Sequence, residues 1–94
     1  MLSKTEIKAL AAMFSNHWDD GGTFTKDEVF PKGGENLMER RGFTGLVKKG
    51  IIKARGRYDG KDEFTLDGEA AHLNYSHWYE SVGWKTGEAN ALLD

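Results

Sequence analysis

Apolar residues recur at helical spacing near the start of the chain, where Ile7, Leu10, Ala11, Phe14 and Trp18 form one stripe. Ser3 and Glu6 have the spacing of a capping box, and Leu2 and Ile7 occupy the two positions of a hydrophobic staple, so a helix is predicted to begin there. It should end near Trp18, because Asp19-Asp20-Gly21-Gly22 is a turn cluster. The same signature returns at once in Thr25 and Glu28, with Phe24 and Val29 as the staple pair. Pro31 limits this second helix to about two turns, since an interior proline removes a hydrogen bond and clashes with the preceding turn.

A third helix is clearest at its C-terminal end. Phe43, Leu46, Val47 and Gly50 fall within one side of a helical wheel, and Arg41, Thr44 and Lys48 fall on the other. Gly50 suits a left-handed C-cap, with Lys48 and Lys49 where cations favour the helix dipole. Upstream, Leu37 and Met38 do not continue the stripe. One helix from about Glu35 and two short helices meeting near Gly42 both fit the pattern.

After Gly50 the pattern changes to strand. Residues 51–58 and 61–66 are extended runs on either side of Asp59-Gly60, a dipeptide suited to the tight turn of a hairpin. Lys53, Arg55 and Arg57 are expected to alternate onto one face of the first strand. Asp67 can cap a last helix whose stripe is Ala71, Asn74 or Tyr75, Trp78 and Val82, flanked by Leu73, Tyr79 and Trp84. The expected class is α+β and mostly helical, with one domain over residues 1–84 and a tail at 85–94 that frays.

Composition narrows the picture. A chain of 94 residues with 38% apolar content suits one domain with a modest core, and 12% aromatic residues argue against a disordered segment. The absence of cysteine excludes a disulfide frame and a Cys-based zinc site. No apolar run approaches the roughly 20 residues that span a bilayer. The first residues lack a signal-peptide core, so a cytoplasmic protein without membrane contact is expected. On that expectation, the Asn74-Tyr75-Ser76 sequon is read as chance.

Charge is sharply segregated. Residues 32–61 carry nine Lys or Arg against three acids, a balance of +6, while the rest of the chain carries four against twelve, or −8. One basic face on a mildly acidic protein suggests a surface that meets polyanion.

The order helix, short helix, third helix, hairpin and closing helix resembles a winged helix-turn-helix with a two-stranded wing. Thr25-Lys26-Asp27-Glu28-Val29, Leu46-Val47-Lys48-Lys49-Gly50-Ile51-Ile52 and Phe64-Thr65-Leu66-Asp67-Gly68 are similar to the core of the MarR-type and related regulators. The resemblance covers about half the chain. Pro31 and Gly33-Gly34 depart from that family's uninterrupted second helix and tight turn. The resemblance implies a DNA-binding transcriptional regulator whose third helix enters the major groove of double-stranded DNA and whose wing meets the backbone or minor groove. The matching exposed positions are Arg41, Thr44 and Lys48 on the helix and Arg55, Arg57 and Lys61 on the wing. Arg41 would read guanine, Thr44 would meet base or phosphate, and the lysines would meet phosphates. The alternative is a protein-interaction module, such as a phage- or plasmid-type inhibitor docking on a host protein or nucleoprotein complex, which the acidity outside the basic block favours.

Other constellations carry less chemistry. His72 and His77 are not at the spacing of a one-face ligand pair, and His17-Trp18 and His77-Trp78 read as boundary residues beside aromatic anchors. Asp19-Asp20 and Asp62-Glu63 are turn acids, and no nucleophile or phosphate-loop motif accompanies them, so neither an enzyme nor a cofactor is expected. Phe14, Trp18, Tyr75, Trp78 and Tyr79, with Trp84, offer more aromatic surface than a small core readily buries. A homodimer through the terminal helices is expected, against the simpler case in which those helices pack together in one chain.

Overall fold

In the computed structural model, which describes residues 2–18 and 20–83, both capping boxes form. The Glu6 amide donates to Ser3 Oγ at 3.3 Å and the Ser3 amide to Glu6 Oε1 at 2.7 Å. The Thr25–Glu28 pair repeats this at 3.2 and 3.1 Å. The helices they open are α1 (Lys4–Ser15) and α2 (Lys26–Val29).

Both are shorter than the sequence pattern predicts, for local reasons. α1 stops before Trp18 because His17 takes a left-handed conformation, φ 61°. The chain then closes back on the helix, with the Trp18 amide donating to the Met13 carbonyl at 2.9 Å and the His17 amide to that of Phe14 at 3.1 Å. α2 has one turn rather than two because Phe30, next to Pro31, has already left the helical region at φ −131°.

A 3₁₀ turn at Gly34–Asn36 leads into α3 (Leu37–Lys48), which runs unbroken through Gly42. That glycine permits a close helix crossing: a Cβ there would run into the Thr5 carbonyl oxygen and the Ala9 methyl of α1. α3 ends as its pattern predicts. Gly50 is left-handed at φ 77°, and the Ile51 amide reaches the Leu46 carbonyl at 3.0 Å.

The hairpin consists of β2 (Ile52–Tyr58) and β3 (Lys61–Leu66), turned by Asp59 and Gly60, both at positive φ. It is part of a larger sheet than expected. β1 (Thr23–Phe24) pairs antiparallel with β3, Phe24 opposite Phe64, and gives three strands in the order β1-β3-β2. α4 (Gly68–Trp78) follows, capped by Asp67, whose Oδ1 accepts from the Ala70 amide at 3.1 Å. A π-helical turn, Tyr79–Gly83, closes the described chain. The expectations for the Val82 side chain, for Trp84 and for the tail 85–94 lie outside the described residues.

Ile7, Leu10, Met13, Phe24, Phe43, Leu46 and Ile52 are fully buried where α1 and α3 meet the sheet. Phe43 is central among the rings. Its edges and faces meet Phe24, Phe30 and Phe64 at centroid distances of 6.1, 6.4 and 5.3 Å. The architecture is thus α+β and mostly helical, with four α-helices around a small antiparallel sheet. Among the described residues, no helix is long and apolar enough to cross a membrane.

Candidate nucleic-acid interface

With its opposite side packed on α1, α3 presents Leu37, Arg41, Thr44 and Lys48 as one exposed ridge. Arg41 and Lys48 have no acidic partner among the described residues. Thr44 is already engaged: its hydroxyl donates to the Arg40 carbonyl at 3.2 Å and accepts from Lys26 Nζ at 2.7 Å. A base or phosphate contact by Thr44 therefore competes with Lys26.

Two residues that the pattern did not single out shape the flank of this ridge. Arg40 Nη1 donates to Asp27 Oδ1 at 2.7 Å and to the Phe30 carbonyl at 2.5 Å, tying α3 to α2. This guanidinium, helped by Lys32 and Lys61, holds the Asp27 carboxyl below the usual carboxylate range. Lys26 lies 5.7 Å over the Phe43 ring. Burial, and then the positive charge of Arg40, push its ammonium pKa down.

Two adjoining clefts separate the ridge from the hairpin. One, of about 320 Å³, gathers Lys26, Lys32, Arg40 and Lys61 beside Asp27 and Asp62. The other, of about 290 Å³, lies along Phe43, Val47 and Lys48, and Lys26 and Phe64 line both. Cationic and apolar surfaces thus run together from α3 to the hairpin.

The hairpin cations do not share one face as expected. Ala54 pairs with Phe64 and Gly56 with Glu63, which leaves Arg55 as the extra residue of a β-bulge. The extra residue reverses the alternation. Lys53 opposes Thr65 and Arg57 opposes Asp62, positions on opposite faces of β3. Arg55 and Lys61 are exposed, whereas Arg57 approaches Asp62 at 3.4 Å and donates to the Gly60 carbonyl at 2.7 Å. Lys53 lies 3.0 Å from Asp67, whose carboxyl is held below its ordinary range by the Ala70 amide and by Lys53.

Four of the five aromatic residues expected at a dimer interface meet rings of the same chain. Phe14 stacks on His72 at 4.5 Å between centroids and meets Tyr75 edge-on at 5.5 Å. Trp18 meets Phe24, and Tyr75 meets Trp78, both at 5.6 Å. Trp78 is buried, and Tyr79 is exposed. Among the described residues, no three metal-ligating side chains come together. No family model, curated protein or solved structure matches the chain.

Proposed function

We propose that this chain is a winged-helix protein that binds duplex DNA, with α3 in a groove and the β2–β3 hairpin as the wing against the backbone. One observation carries the reading: the exposed ridge of α3 carries Arg41 and Lys48 without acidic partners among the described residues, and its Thr44 and Lys48 line a cleft that shares Lys26 and Phe64 with a second cleft drawing cations from α2, α3 and β3. The chain order α1-β1-α2-α3-β2-β3 and the sheet order β1-β3-β2 support the same fold family. Arg41 and Thr44 are the positions for base contact, and Lys48, Arg55 and Lys61 those for phosphate. Arg57, tied to Asp62, contributes less. Titration of the purified protein against random-sequence duplexes over a salt series tests this. Affinity should fall log-linearly with salt, and Arg41→Ala should weaken it.

A second reading has its own support. Leu37 at the start of the ridge and Met38 beside it are 50% and 41% exposed, and Tyr58 is 75% exposed near the hairpin turn, surfaces suited to a protein partner. Absence of salt-sensitive binding to any duplex pool would favour this docking module over the DNA-binding protein.

A further inference from the structure

The cationic cleft is built from four parts of the chain: Lys26 of α2, Lys32 of the segment that follows, Arg40 of α3 and Lys61 at the start of β3. Its two acids are each engaged by a guanidinium, Asp27 by Arg40 at 2.7 Å and Asp62 by Arg57 at 3.4 Å. The three ammonium groups have no carboxylate within ion-pair distance among the described residues. Lys26 donates to a neutral hydroxyl, that of Thr44. Lys32 and Lys61 both act on the Asp27 carboxyl through space. Solvated lysines on a convex surface spread apart, whereas these line one concavity together with Phe64, where an apolar wall strengthens their summed field.

The donor set also selects the kind of anion. A planar carboxylate is best held by the fork of an arginine, but the Arg40 guanidinium is already bound to Asp27 and to the Phe30 carbonyl. What remains are the point-charge ammonium groups of three lysines that line one cleft from α2, the segment after it and β3, a donor type that suits a tetrahedral oxyanion. We propose that the cleft between α2, α3 and the hairpin is a phosphate-binding site distinct from the α3 ridge. It takes either a backbone phosphate of nucleic acid, which rests on the function proposed above, or a free phosphate group, which does not.

The test compares the wild type with a Lys32→Ala, Lys61→Ala double variant, both substitutions at exposed positions that leave the core intact. Amide shifts are followed by NMR on titration with inorganic phosphate, with a random-sequence duplex and with polyglutamate. Duplex affinity is measured over a salt series. Phosphate or duplex is expected to shift the amides of Lys26, Lys32 and Lys61, and the double variant should lose those shifts. Its log–log salt slope should fall by about 0.9 for each phosphate contact removed. Shifts with the duplex alone identify a strand phosphate as the occupant. Shifts with inorganic phosphate from a protein that binds no duplex keep the site and remove the DNA reading. If neither phosphate nor duplex moves these amides, or polyglutamate moves them equally, the phosphate site is overturned.

Discussion

The Glu6 carboxylate meets the Lys49 ammonium at 2.6 Å and so joins the first turn of α1 to the end of α3 across 43 positions of sequence. Glu6 is the one charged residue in the buried class among the described residues, and the same carboxylate closes the capping box of α1. Burial alone would raise its pKa, but the Lys49 ammonium and the Ser3 amide outweigh burial and hold it below the usual value.

The sign of the pH dependence follows. A carboxylate with a lowered folded-state pKa contributes stability that is complete above its unfolded value and is lost as pH falls through the folded one. Glu6→Gln should cost about 1–3 kcal/mol at neutral pH. The difference should shrink toward pH 3, as read from urea midpoints at both pH values. An equal loss at both would assign the effect to shape rather than charge.

Gly42→Ala sets two effects against each other. Helix propensity alone would stabilise α3 by about 1 kcal/mol. Crowding against the Thr5 carbonyl and Ala9 opposes it, and overpacking of this kind costs about 1–3 kcal/mol. Because the obstacle includes backbone, packing should prevail and Gly42→Ala should lower the thermal midpoint. A raised midpoint would show that α1 and α3 can separate slightly at no cost.

Arg40 and Arg41 are neighbours with different work. Arg40→Ala removes the donor to the Phe30 carbonyl and should cost about 1–2 kcal/mol in denaturant unfolding. Arg41→Ala, at an exposed position without a partner, should stay within about 0.5 kcal/mol while weakening duplex binding. Equal losses of stability would contradict the division.

Leu46 is fully buried in the α3 stripe, and Leu46→Ala should cost about 2–5 kcal/mol, a large share of a small domain's stability. A shift below about 1 kcal/mol in denaturant midpoint analysis would mean that the site refills.

Features fixed by neighbouring residues are legible in the sequence alone. Ser3 with Glu6, Thr25 with Glu28, Gly50, Asp59-Gly60 and the Asp67 cap all act within a turn or two of their own position, and all are found as read. What distant chain supplies was not legible. Thr23–Phe24 is too short to show strand alternation and is extended because β3 pairs with it. The bulge at Arg55 depends on the register of the opposing strand, so the sequence shows a regular row of cations where the structure divides it. In the candidate site, the exposed face of α3 could be read from its period. That period sets Arg41 on the exposed face, but the tie from Arg40 to Asp27 and to the Phe30 carbonyl depends on where α2 lies and could not be read from it.

The bulge also bears on how the chain behaves among its own copies. In the order β1-β3-β2, β2 has a neighbour on one side among the described residues, and a straight seven-residue margin would present a template for strand addition. The displaced backbone at Arg55 interrupts that template, and the exposed Arg55 adds a charge there that, unlike those of Lys53 and Arg57, is in no ion pair among the described residues. The feature that breaks the regularity of the hairpin thus makes the open side of the sheet a poorer template for strand addition than a regular edge would be.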